Sequence, residues 1–246
     1  MQIRIERIER IVPESRSVKT FFFRGIGDPR PGNYLMVWIP GSGQIPLSIS
    51  SFRDGICGVT VKRVGATTEA MHRLNAGDLI GITPPLGSSF SMKGNRILLV
   101  SGGIGIAPLL YLALEARALG KRVYGVFGFE RGEEVIFEDV LEGLLDDLII
   151  TTDDGSYGLK GTPVDLLEDL YLRLRFDRIF SCGPEAMMKR VFDFARSRHI
   201  MAEFSLERTI RCGMGICGAC VINGLRVCKE GPVFDGEALK EVWGDK

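Results

Sequence analysis

The chain has six cysteines, and three of them fall within the stretch 211-RCGMGICGAC-220, with a fourth at Cys228. The spacing Cys212-x4-Cys217-x2-Cys220-x7-Cys228 begins as a plant-type [2Fe–2S] site does, C-x4-C-x2-C…C. Four thiolates suit such a cluster because each iron takes two of them beside the two bridging sulfides. Gly213, Gly215 and Gly218 allow a loop to wrap closely and turn backbone N–H groups toward sulfur, which helps set a reduction potential. The same four thiolates could also hold zinc. Zinc ligands usually come as two short knuckles, however, and here three ligands share one glycine-rich loop. Cys57 lies inside a strand pattern and is expected to be a small buried hydrophobe.

Two further segments point to a nucleotide. "LLVSGGIGIAP" (98–108) runs from an apolar strand through Gly102, Gly103 and Gly105 into a helix. There a pyrophosphate can approach the backbone and meet the helix N-terminus. A tight turn without a ligand gives the same pattern, since G-G-x-G is not the full dinucleotide spacing. "FSCGPEAMM" (180–188) ends a strand in Cys182-Gly183-Pro184 before a second helix. Ligands of open α/β sheets bind beyond strand C-termini, so Cys182 either borders a nicotinamide ring or packs as a thiol at a strand end.

These loops need a scaffold. Residues 1–92 read as six short strands, "IRIERI", "KTFFFRG", "NYLMVWIP", "IPLSISS", "GVTVKRV" and "DLIGIT", with one short helix, "TTEAMHRLN". Turn residues between them suggest an antiparallel β-barrel. From residue 95 the pattern alternates strand and helix, including a helix over "EVIFEDVLEGLL", and implies a doubly wound parallel α/β domain. After about residue 204 no periodic element is long enough to build a core. The expected division is therefore 1–92, 93–203 and a small cysteine segment, 204–246.

With 246 residues, 45% hydrophobic, the chain can fill two cores. Its 31 basic and 31 acidic residues give no net attraction to nucleic acid or an anionic membrane. No apolar run approaches the roughly 20 residues that span a bilayer. The N-terminal "MQIRIERIERIVPESRS" alternates charge with isoleucine, unlike a signal peptide. The expected compartment is the cytoplasm, where clustered cysteines bind metal or do redox work.

Together, the barrel, "GGIGIAP", "CGPEAMM" and the segment "ERTIRCGMGICGACV…RVCKEGPVF" resemble the ferredoxin–NADP reductase superfamily. Within it, nearly the whole chain resembles the electron-transfer subunits of NAD-dependent dihydroorotate dehydrogenases. The resemblance implies FAD on the barrel, NAD on the α/β domain and a [2Fe–2S] cluster on Cys212, Cys217, Cys220 and Cys228. The family's R-P-x-S segment beside FAD matches Ile45-Pro46-Leu47-Ser48, with isoleucine in place of the arginine that counters phosphate charge. Arg53, Lys62 and Arg63 are nearby cations. The FAD diphosphate turn matches Gly65-Ala66-Thr67-Thr68, preceded on its strand by Val61 and Lys62. Asp153 and Asp154 in "TTDDGSYG" favour NAD over NADP, and Arg131 argues mildly the other way.

The resemblance further implies an FMN-containing dihydroorotate dehydrogenase catalytic subunit as partner, in a heterotetramer of two of each, serving pyrimidine biosynthesis. No residue here is expected to bind the pyrimidine or act as a general base; His72 and His199 read as surface or interface residues. The competing readings are a subunit of a ferredoxin- or sulfide-linked NAD(P)H oxidoreductase, and a zinc-bearing nucleotide-binding regulator without turnover.

Overall fold

Period-two alternation in the first 82 residues is realised as seven strands of one antiparallel sheet. The computed structural model describes residues 2–244. The strands are β1 (Arg4–Arg7), β2 (Arg10–Pro13), β3 (Val18–Phe23), β4 (Tyr34–Ile39), β5 (Gly43–Arg53), β6 (Ile56–Lys62) and β7 (Leu79–Ile82), with helix α1 (Ala66–His72) before β7. Their order is β1-β7-β4-β5-β6-β3-β2. β1 and β2 are thus the two ends of the sheet, yet only Ile8 and Glu9 separate them. The three steps from Arg7 to Arg10 reach at most about 11 Å, so the sheet must curl until its ends meet as a barrel. Phe21, Phe23, Leu35, Val37, Ile49, Val59 and Ile80 fill its interior, and Ile8 plugs the seam at zero exposure.

β2 is the strand the alternation did not predict; "RIVP" is short and follows β1 with no turn residue between. His72 also departs from expectation. It is buried, with Nε2 2.9 Å from the Val61 carbonyl and its ring edge-on to Phe21 at 6.1 Å. Desolvation holds its imidazole below the usual range. Cys57 is fully buried in the barrel, as expected.

The second sheet contains β8 (Arg96–Gly102), β9 (Arg122–Phe129), β10 (Asp147–Thr152), β11 (Leu159–Lys160), β12 (Arg178–Cys182) and β13 (Met201–Ser205). Helices α2 (Ile106–Ala118), α3 (Glu138–Glu142), α4 (Leu167–Leu174) and α5 (Glu185–Ser197) connect its strands. The sheet order is β11-β10-β9-β8-β12-β13, all parallel. Chain direction across the sheet reverses between β8 and β12, which is the topological switch point. α3 is shorter than the expected helix because Phe137 adopts a left-handed φ of 65°, which a right-handed helix cannot run through, while Val135, Ile136 and Phe137 pack against the core. α2 joins the two halves: Tyr111 packs with the barrel core and donates to the Pro29 carbonyl at 2.9 Å.

The last segment has no separate core. Strand β16 (Val233–Asp235) pairs antiparallel with β13, giving the sheet its only antiparallel edge among the described residues. A two-stranded ribbon, β14 (Val221–Ile222) and β15 (Leu225–Arg226), precedes it. Helix α6 (Lys240–Trp243) ends the described chain. Trp243 lies edge-on to Phe204 at 5.2 Å and Phe192 at 5.8 Å, and its indole N–H donates to Glu185 at 3.0 Å. None of the described helices is long and apolar enough to cross a membrane. Trp243→Ala is expected to cost about 3 kcal/mol in chemical unfolding, the usual loss for a large buried aromatic, and to lower iron content per flavin by loosening the cysteine segment.

Candidate functional site

At the switch point the two glycine turns interlock. A Cβ on Gly105 would come 2.3 Å from the Cys182 carbonyl oxygen, and one on Gly183 2.7 Å from the Gly102 nitrogen. Side chains would force the turns apart, so both segments require glycine there. Gly102, Gly103, Gly183 and Pro184 line the resulting crevice with Ile104, Asp153 and Glu134, whereas Gly105 is packed below it. Cys182 is 2% exposed and is not a lining residue; burial pushes its thiol well above the usual range. Asp153 reaches the crevice, but Asp154 does not, its carboxylate being taken by the Ser156 N–H at 2.9 Å and hydroxyl at 2.7 Å.

A second cleft opens between barrel and α/β domain. Pro46, Leu47, Ser48, Val61, Lys62 and Thr68 line it with Tyr34, Ala107, Pro108, Leu206, Arg208 and Ile210. Gly65 and Thr67 lie outside this lining; Gly65 instead caps α1, and the Thr68 hydroxyl accepts from the Val64 and Gly65 N–H groups, both at 2.9 Å. Ile45 is half-buried against the barrel core and also outside the lining. Two cations line the cleft: Lys62, paired with Glu134 at 3.3 Å, and Arg208, held by both oxygens of Glu185 at 2.9 Å. Arg53 and Arg63 pair elsewhere, with Asp54 and Glu69. Arg208 was not a sequence candidate, though its position four residues before Cys212 was a usable signal.

The crevice and the cleft share a wall of Lys62, Ile104 and Glu207. Glu207 keeps open surface because both cavities border it, while the protein packed round it desolvates the carboxyl and raises its pKa. Its sequence context, between a strand end and the cysteines, carried no signal of this place.

The four cysteines stand as two pairs. Cys212 neighbours Cys217, and Cys220 neighbours Cys228. The N–H of Gly215 points at the Cys228 sulfur at 3.2 Å, that of Met214 at Cys212 and that of Cys228 at Cys220, both at 3.4 Å. Backbone N–H groups of Cys217, Met214 and Ile216 bring the Cys212 thiol down to about 6, favouring the thiolate that binds iron; burial lifts Cys228 to about 11. No three Cys, His, Asp or Glu side chains among the described residues converge as one mononuclear ion requires. Two pairs of sulfurs, ringed by N–H donors, fit a dinuclear cluster whose irons each take one pair. Tyr34 links this segment to the cleft: its buried hydroxyl donates to the Cys228 carbonyl at 2.9 Å, and burial with the nearby thiols raises the phenol pKa. Tyr34 was missed because a strand tyrosine reads as core.

Comparison with known proteins agrees with this geometry. The family model for the iron–sulfur cluster binding domain of dihydroorotate dehydrogenase B matches residues 207–240. A protein of Methanocella arvoryzae named "Probable dihydroorotate dehydrogenase B (NAD(+)), electron transfer subunit" is 43% identical over 239 residues, 94% of this chain and 90% of that protein. A protein of the same name from Methanocaldococcus jannaschii is 41% identical over 236 residues, 95% of this chain and 90% of the other. Among solved structures, an NADH-dependent reduced ferredoxin–NADP oxidoreductase superposes with a TM-score of 0.84 at 30% identity, covering 95% of this chain and 89% of that one. A ferredoxin NADP+ reductase from Neisseria gonorrhoeae shares the fold, with a TM-score of 0.68 at 19% identity over 80% of this chain and 92% of its own. With paired cysteines on a matched iron–sulfur domain and relatives of 41–43% identity along nearly its whole length, the chain belongs to the family of electron-transfer subunits of NAD-dependent dihydroorotate dehydrogenase B.

Proposed function

We propose that this chain serves a separate FMN-containing catalytic subunit that oxidises dihydroorotate, in a heterotetramer of two of each, with NAD+ as the final acceptor. In this reading FAD occupies the cleft at Pro46, Leu47, Ser48, Val61, Lys62 and Thr68, with Gly65 and Thr67 shaping its rim. NAD occupies the crevice at Gly102, Gly103, Gly183 and Pro184, with Gly105 and Cys182 supporting its floor. Cys212, Cys217, Cys220 and Cys228 hold the [2Fe–2S] cluster, and residues 1–92, 93–203 and 204–246 are the three working units. When bound, a flavin can exchange electrons singly or in pairs, which reconciles a one-electron centre with a two-electron nicotinamide.

The observation that carries this reading is the shared wall. Lys62, Ile104 and Glu207 border both cavities, so ligands filling them would meet there. On the other side of the cleft, Tyr34 touches the cysteine segment. Lys62 and Arg208 supply positive charge toward a diphosphate, the work Ile45 cannot do. Asp153 at the crevice offers an acceptor to a ribose hydroxyl and repels a 2′-phosphate. The chain's own side chains therefore bind, orient and exclude water at the two cavities.

The reading is tested by reconstitution with a dihydroorotate-oxidising FMN subunit and measurement of dihydroorotate-dependent NAD+ reduction. Activity supports it. Reduction of ferredoxin or polysulfide in place of dihydroorotate oxidation would favour the oxidoreductase reading, which the 30% identical ferredoxin-linked structure keeps in play. Cys217→Ser is expected to remove the iron–sulfur absorbance and the dihydroorotate-linked activity while NADH-to-ferricyanide turnover persists; loss of both together would contradict separate sites. For Glu207, the raised carboxyl pKa means the folded state holds its proton more tightly than the unfolded chain, so stability falls as pH rises through that window. Glu207→Gln should therefore raise the thermal midpoint at about pH 8 and leave it nearly unchanged at about pH 3, where the carboxyl is protonated in both states.

A further inference from the structure

Strand β1 is built the wrong way round for a free surface. Arg4 pairs with Ile82 and Glu6 with Ile80, so these two charged side chains share the sheet face of the barrel core, while Arg7, opposite Leu79, lies on the outer face. Ile3 and Ile5 take the opposite face, 44% and 55% exposed. A one-sided strand places its apolar set on the covered face, and β1 puts isoleucine where the isolated chain has no cover. Trp38 and Leu79 share that outer face. Ile5 and Trp38 both pair with Gly81, one from each side. A Cβ on Gly81 would fall 2.9 Å from Ile3 Cγ2 and 3.0 Å from Trp38 Cε3, so these side chains close over the glycine. The result is an apolar patch that closes over Gly81, with Ile3 and Ile5 on one side, Trp38 on the other and Arg7 beside Leu79 at its border, and tryptophan is a residue enriched at interface hot spots.

The position of the patch selects its occupant. Along the outer face of β4, residues 34, 36 and 38 follow one another at about 7 Å per step. Tyr34 borders the cleft and holds the Cys228 carbonyl. Met36 is fully buried beneath the cysteine loop, 2.9 Å from where a Gly213 Cβ would stand. Trp38 comes next and is 38% exposed. The loop that covers Met36 itself exposes Met214, Ile216 and Cys217, so exposed apolar groups continue from the cluster's open edge onto the barrel.

We propose that Ile3, Ile5, Trp38 and Leu79 extend the cysteine-loop edge into the surface that seats the catalytic subunit exchanging electrons with the cluster. This rests on the function proposed above. A protein that must reach the open edge of the loop meets the barrel patch in the same approach, and burial of that patch holds it there.

The test uses the full chain with its cofactors and the catalytic subunit, comparing wild type with Trp38→Glu, Ile5→Lys and the distant surface variant Leu119→Glu. The two patch variants should bind the catalytic subunit at least about tenfold more weakly. Flavin content, iron content and NADH-to-ferricyanide turnover should stay at wild-type levels, and Leu119→Glu should bind normally. Patch variants that bind as wild type does would overturn the docking surface while leaving the function intact. If instead the patch variants convert a wild-type dimer of this chain into a monomer with subunit binding unchanged, the patch is a self-contact and the proposal fails. A wild-type chain that binds no such subunit removes the function and the surface together.

Discussion

The alternation of side chains along β4 is the constraint on which the arrangement of the three sites rests. Leu35, Val37 and Ile39 point into the barrel and make it a rigid unit. The residues between them cannot then choose their side: Tyr34 and Met36 must face outward, where they meet the C-terminal segment. One six-residue strand thereby fixes how far the cysteines lie from the cleft. A shift of one residue in its pairing would exchange the two sets and dissolve both contacts.

The α/β half is fixed by a different kind of constraint, the close approach of two backbones at the switch point. Because Gly105 and Gly183 leave no room for a Cβ, the strand ends of β8 and β12 are drawn together and their loops form one crevice wall. Glu185 then ties this corner outward, receiving both Arg208 and Trp243. Its carboxyl is held below the usual range, chiefly by the indole N–H and then by Arg208. A single carboxylate at the start of α5 thus couples the cleft, the crevice and the cysteine segment.

What the sequence made legible follows from range. Cysteine spacing, glycine turns and the change of hydrophobic period are local, and they announced the iron–sulfur segment and the two-domain order, but not the pairing of Cys212 with Cys217 and Cys220 with Cys228. β2 escaped because four residues give too little alternation to register, and its role in closing the barrel depends on strands far away in sequence. Glu207, Arg208 and Tyr34 escaped for a related reason. Nothing about a glutamate after a strand or a tyrosine within one says that two cavities meet there, since the cavities are made by segments more than a hundred residues apart. The reverse error, a surface reading for His72, came from judging a short helix without the barrel that buries it.

The edge strand β16 carries a consequence for how the protein is made. It completes the second sheet by pairing with β13, yet in sequence it follows all four of the cluster cysteines. During synthesis the barrel and the parallel strands can pack first, while the segment that anchors the cysteine loop is still emerging. Anchoring of the iron site therefore awaits β16, which lies beyond the cluster cysteines, rather than following directly from folding of the strands that precede them.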